Sequence, residues 1–224
     1  CCIVSDEFPV FIVREHNTRV ASKVNVPFIT IDSNGLIPLG ITEKDPYSAY
    51  LFRKIMQKHF FEAYTHPPKL NALSELKNNE KINVGDEIIQ KYKSAMSLDC
   101  NIKEVISTLD IDHTVKIVDI DGSRKGALKK LNQFIKNSLM DYDEKRNHPD
   151  EKKTSGLSPW LHYGKISEYE IVKAALEQQP KDWNLECLTP NGGKNKGFFN
   201  GDTNIEGFLD EVITWREVGF HYAH

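Results

Sequence analysis

A chain of 224 residues, 39% hydrophobic and 27% charged, holds enough apolar material for one large domain or two modest ones, which excludes a disordered chain. A net charge of -3 and a pI near 6.3 give no global attraction to nucleic acid, so any DNA-binding role needs a local basic face. No run is apolar enough to span a bilayer and no leader with a cleavage site is recognisable. The four cysteines, Cys1, Cys2, Cys100 and Cys187, have neither CxxC nor metal-ligand spacing, so reduced thiols in the cytoplasm, or in the nucleus of a eukaryote, are expected.

The first part reads as α/β. Ile3-Val4, Val10 to Val13 and Pro27 to Ile31 are short apolar runs, the last closed by Asp32-Ser33-Asn34-Gly35. Such runs suit buried parallel strands of a doubly wound sheet, with a short helix over 17–24 between them. A helix is predicted over 46–64, with Asp45 as cap and Pro46 in the first helical position. Its inward stripe is Tyr47, Leu51, Ile55, Phe60 and Tyr64, and Pro67-Pro68 ends it. Residues 65–120 alternate weak helix with loop and polar patches such as Lys77-Asn78-Asn79-Glu80-Lys81, the composition of a connector.

From Gly122 the pattern turns helical. Ala127, Leu128, Leu131, Phe134, Ile135, Leu139 and Tyr142 fall on one face. Lys145 to Lys153 is a charged loop. Ser167 to Glu170 forms a capping box that opens a helix carrying Ile171, Val172, Ala175 and Leu176. Residues 180–204, rich in Gly, Asn and Pro, predict a long loop, and a last helix starts near Ile205. The chain opens without Met and stops at His224 inside that expected helix, which reads as a piece of a longer protein.

Chemistry concentrates in the segment Thr154-Ser155-Gly156-Leu157-Ser158-Pro159-Trp160-Leu161-His162-Tyr163-Gly164. Hydroxyls, a glycine and a Ser-Pro step build a turn into a short helix, where backbone amides suit a phosphate. On chemistry alone a plain helix start is the simpler account. The segment resembles the signature with which the photolyase and cryptochrome family wraps a flavin pyrophosphate. Upstream, Tyr142-Asp143-Glu144-Lys145-Arg146-Asn147-His148-Pro149 resembles a stretch of the class II members. Downstream, Phe208 to Glu217 resembles the helix that enters their flavin and lesion pocket. Val4 to Pro9 and Ile31 to Pro38 resemble the last strands of the antenna domain. The 180–204 loop is longer than the family's, which fits a divergent sister group of class II.

The resemblance implies an α/β plus all-α architecture. Residues 1–40 would end a doubly wound antenna-type domain, 41–118 would connect, and 119–224 would begin a helical FAD-binding domain. It also implies light-dependent splitting of cyclobutane pyrimidine dimers by photoexcited reduced FAD, in a monomer that binds damaged DNA and no membrane. A second, antenna chromophore of unspecified identity belongs to the same expectation. Glu211, Trp215 and Arg146 would meet the lesion. Tyr142, Thr154, Ser155, Gly156, Leu157, Ser158 and Arg216 would hold the flavin. Without the resemblance, Glu211 and Trp215, four apart on one helix face, read as a solvated acid beside a core indole. Arg216 and Arg146 then read as surface charges, and Tyr142 as core. No metal site is expected, because His221 and His224 lack a third ligand. Two alternatives remain at this point: a cryptochrome-like flavin photoreceptor and a non-enzymatic interaction module.

Overall fold

A computed structural model describes residues 1–42, 45–69, 74, 85–92 and 101–224. Strand β1 (Ile3–Asp6) pairs in parallel with β2 (Phe28–Ile31), Ile3 opposite Phe28 and Asp6 opposite Ile31. Helix α1 (Val13–Ala21) makes the crossover. The apolar run at 10–13 is therefore not a strand. Pro9 cannot donate to a ladder, and Phe11 sits at φ 60 and is 86% exposed, so the chain turns and enters the helix. Nor are the strands buried, as their composition predicts. Val4, Ile29 and Ile31 are exposed because the sheet has only two strands among the described residues, with no layer over them.

Helix α2 (Ala49–Thr65) begins later than the Asp45-Pro46 signal predicts. Ser48 holds the extended cap position, and its hydroxyl accepts the Leu51 N–H at 3.4 Å. The buried face is Phe52, Met56, Gln57 and Phe60, not the predicted stripe. Tyr47 precedes the helix and is exposed. The spacing of Phe52, Met56 and Phe60 by fours lays two rings and a thioether along one line.

Helices α3 (Asp86–Lys91) and α4 (Ile102–Thr108) lie in a compact unit of their own, Pro68–Ile120, and bury none of their residues. The polar patch Lys77 to Lys81 and Cys100 fall outside the described residues.

Cys1–Pro67 and Asp121–His224 together make the other unit. There α5 (Arg124–Asn137) is capped by Ser123 and buries Ala127, Leu131 and Phe134, whereas Leu128, expected on that face, lies at its exposed edge. Helix α6 (Tyr142–Lys145) and α7 (Ser158–His162) are single turns. Helix α8 (Glu168–Leu176) has its capping box formed in both directions, Ser167 to the Glu170 N–H and back. Helix α9 (Thr203–Leu209) starts two residues before Ile205, because Asp202 accepts from the N–H groups of Asn204 and Ile205. It runs through a π-helical turn, Asp210–Trp215, into α10 (Arg216–Ala223). Phe52, Phe60, Ile171, Phe208, Leu209 and Ile213 centre one continuous core that gathers α2, α8 and the last helix.

Candidate functional site

The π-helical turn builds the most reactive wall of this unit. Val212, Ile213 and Thr214 point into the core, while Glu211 is partly exposed and Trp215 is 54% exposed. The four-residue spacing thus leaves both on the open side. π turns put one extra residue into the helix and recur at functional sites. Glu211 Oε1 accepts from Arg146 Nη1 at 2.5 Å. The Arg146 guanidinium lies 5.6 Å from the Tyr142 ring centre, and its Nε is buried without a hydrogen-bond partner. Tyr142 itself packs edge-on against Phe134 and Phe208. Burial pushes its phenol pKa up, and its hydrogen bond with Arg146 opposes that. The structure therefore gathers Glu211, Arg146 and Tyr142 in one group.

Trp215 has a neighbour that sequence reasoning missed. Arg53 of α2 lies 5.8 Å from its ring centre, and Asp210 holds that arginine through two hydrogen bonds of 2.7 Å each. No local signal in α2 marks Arg53, since its partners lie 157 residues away.

The turn before α7 has the shape its sequence predicts. Gly156 is left-handed at φ +63, and the Ser155 hydroxyl accepts the Leu157 N–H at 3.4 Å. Leu157 is buried in the core, so it has only its backbone to offer a ligand. Thr154 and Ser158 are exposed. A Cβ at Gly156 would stand 3.3 Å from Lys130 Nζ of α5, which places an ammonium over the turn. Ser158 and Arg216 line one cleft of about 750 Å³, whose walls include Asn34, Leu161 and Phe220 but none of Tyr142, Arg146, Glu211 and Trp215. Arg216 is partly committed: Nη1 donates to the Asn34 carbonyl at 2.6 Å, and Nη2 lies 3.8 Å from Glu168.

No family model matches the chain. Among curated proteins it is 22% identical over 222 residues to a deoxyribodipyrimidine photo-lyase of Methanothermobacter thermautotrophicus, covering 99% of this chain and 41% of the relative. It is 27% identical over 237 residues to that of Potorous tridactylus, covering 99% and 36%. The enzyme of the same name in Oryza sativa subsp. japonica is 25% identical over 230 residues, covering 99% and 40%. This chain is similar to these photo-lyases over nearly its whole length. It spans about two fifths of the length of these relatives.

The residues after Trp215 clasp the strand-proximal segment. Glu217 is fully buried, and its two oxygens accept the N–H groups of Leu36 at 2.8 Å and Ile37 at 3.1 Å. Burial pushes its carboxyl pKa up to about 8, against those two donors. One turn on, His221 Nε2 lies 3.1 Å from the Ile37 carbonyl, and burial lowers its pKa, so the ring is neutral and donates that proton. His224 pairs instead with Glu7 at 3.1 Å. Among the described residues no cluster of three or more His, Cys, Asp or Glu could hold a metal, and no helix is long and apolar enough to cross a membrane.

Proposed function

We propose that the protein carrying this chain is a light-driven DNA repair enzyme that splits cyclobutane pyrimidine dimers, with FAD as cofactor. The observation that carries the reading is the π-helical wall. An outward carboxylate tied to a buried-edge arginine stands beside an outward indole, in a chain whose curated relatives bear the photo-lyase name.

A lesion that stacks poorly costs less to extrude from the duplex, and an extruded base is read by hydrogen bonds to its edge and by stacking. Glu211 has one oxygen on Arg146 and its side chain is partly exposed, so it can accept an N–H of a thymine edge. Trp215 offers a flat apolar face to the dimer, and Arg53, held by Asp210, fixes its direction.

The 154–158 turn has a donor set suited to a pyrophosphate. The hydroxyls of Thr154 and Ser158 make no hydrogen bond within the described residues, Gly156 brings the backbone close, and Lys130 adds a positive charge. Ser155 and Leu157 contribute backbone there, Arg216 would extend the charge from across the cleft, and Tyr142 would shield the flavin side of Arg146. Reduced FAD, when bound and excited by blue light, supplies the electron that opens the cyclobutane ring. The chain's own residues orient the lesion, exclude water from it and set the local charge.

The test is an absorption spectrum followed by a repair assay on the purified protein. Flavin bands, FAD release on denaturation and light-dependent loss of dimers from an oligonucleotide are expected. A folded, colourless protein that takes up no added FAD overturns the proposal. A yellow protein that repairs nothing under blue light assigns the same flavin fold to light sensing.

A further inference from the structure

The 180–204 loop is ordered beyond what a surface connection needs. Gln57, buried in α2, spends all its capacity on it. Its Oε1 accepts the N–H groups of Asn191 and Gly193 at 3.2 and 3.0 Å, and its Nε2 donates to Asn191 Oδ1 and the Lys194 carbonyl. Glu206, buried at the start of α9, accepts three more backbone N–H groups, from Gly197, Phe198 and Phe199 at 2.8, 2.8 and 3.0 Å. Gly192, Gly193 and Gly197 all take left-handed φ near +80, which only glycine adopts without strain. Phe198 and Phe199 plug the base of the loop into the core against Phe60.

All this order ends in an exposed tip, Lys194-Asn195-Lys196. Two buried polar side chains that hold an exposed basic tip in one conformation add little to the core. They do fix where positive charge stands, which lowers the entropy lost when an anion binds.

The position of the tip names the anion. Gly193 lies against α2 so closely that a Cβ there would be 2.8 Å from both the Tyr50 carbonyl and Lys54 Cγ. Lys54 Nζ sits 4.4 Å from the Tyr50 ring centre, and the next residue back is the Arg53 that supports Trp215. On the other side, Lys196 pairs with Asp143 of α6 at 2.8 Å, within range of the Arg146 charge that binds Glu211. The loop therefore meets α2 at Lys54, next to Arg53, and α6 at Asp143, three residues before Arg146. Asp143, Asp210 and Glu211 are each matched by a cation on this border, while among the described residues Lys54 and Lys194 have no carboxylate within 4.0 Å. Tyr50 and Trp215 are both exposed, each with a cation near its ring, Lys54 and Arg53 respectively. Cations beside exposed aromatic rings fit a nucleic-acid strand.

We propose that the loop tip, together with Lys54, is a phosphodiester clamp that grips the DNA backbone beside the lesion. The clamp rests on the lesion-binding reading of Glu211 and Trp215, and supplies affinity without base information. The probe is a fluorescent duplex, prepared with and without one thymine dimer, titrated over a range of salt with the protein and its Lys54→Gln/Lys194→Gln variant. The slope of log affinity against log salt should shrink by about 1.8, at about 0.9 per lost phosphate contact on duplex DNA. Both duplexes should weaken by the same factor, and FAD content should stay unchanged. The Lys54→Arg/Lys194→Arg variant should restore the slope. An unchanged slope overturns the clamp, as does a variant that loses only its preference for the dimer, because the loop would then touch the lesion itself. A parent protein that binds both duplexes equally, with the slope still falling in the variant, supports the clamp and sinks the lesion reading of the wall.

Discussion

Glu217→Gln tests the clasp between α10 and the segment after β2. The carboxylate is fully buried and holds two backbone N–H groups, yet burial lifts its pKa from 4.5 to about 8. Between those two values the folded protein keeps a proton that the unfolded chain has released. Stability linked to Glu217 is therefore fully present below pH 4.5 and falls as pH rises, by up to about 1.4 kcal/mol per pH unit and on the order of 5 kcal/mol across the window. Glutamine abolishes that titration. It also turns an amide NH2 toward one of the two N–H donors, and a buried donor left unmatched costs about 1–3 kcal/mol at every pH. The variant should thus be less stable than the parent in acid and more stable in base, the curves crossing between roughly pH 5 and pH 7. His221 acts in the opposite sense, losing stability as pH falls below its ordinary 6.5, but it does so in both proteins and cancels in the difference. Urea unfolding followed by fluorescence of the buried Trp160 measures both curves. A stability difference that stays constant from pH 5 to pH 8 would refute the argument.

Gly35→Ala should destabilise the same clasp by about 1–3 kcal/mol through overpacking, because its Cβ would come within 2.5 Å of the Glu217 side chain; an unchanged denaturation midpoint would show that the carboxylate yields. Glu211→Ala should keep bound FAD and weaken binding to dimer-containing DNA by about 1.5–3 kcal/mol, a lost charged hydrogen bond. Trp215→Ala should do the same through lost stacking of roughly 1–3 kcal/mol per base. Flavin absorbance paired with damaged and undamaged oligonucleotide titrations reads both variants, and loss of FAD first would turn that face toward the cofactor. Glu206→Ala removes the acceptor of three backbone N–H groups, so tryptic cleavage after Lys194 or Lys196 should accelerate at least about tenfold, the lower end of one charged hydrogen bond; resistance equal to the parent's would show that Gln57 alone holds the loop.

Signals that close within a few residues were legible in the sequence. The Ser167–Glu170 capping box, the Ala127, Leu131 and Phe134 stripe, the turn before Ser158 and the Glu211–Trp215 spacing all depend on neighbours one turn away. Competing local signals were not decided locally. Asp45 and Ser48 are both good caps, and Ser48 holds the cap position. Val10 to Val13 has strand composition but finds no partner, and a strand exists only by pairing. The π turn has no signature of its own in Asp210 to Trp215. Arg53 with Asp210, Gln57 with Asn191, and Glu217 with Leu36 join residues more than a hundred positions apart. No periodicity reports such pairs. The resemblance pointed to Arg146 and Glu211 separately, but their hydrogen bond is a product of the fold.

Trp215, Arg216 and Glu217 are consecutive, and each serves a different neighbour. Successive helical residues are about 100° apart, so three of them sweep roughly 200° of the helix surface. Trp215 faces the open wall beside Arg53, Arg216 reaches the Asn34 carbonyl, and Glu217 enters the interior to hold Leu36 and Ile37. A stretch used on so wide an arc cannot slide or rotate without breaking several contacts at once. Asp210 and Glu211 pin the other end of the π turn to Arg53 of α2 and to Arg146, just after α6. The direction of the outward indole and carboxylate is thus fixed by two salt-bridged arginines and a buried clasp. Such support is what holds a binding constellation within the tolerance its chemistry needs. It follows that damage to the clasp should reach the wall: a helix turned enough to free Glu217 from Leu36 carries Trp215 away from Arg53.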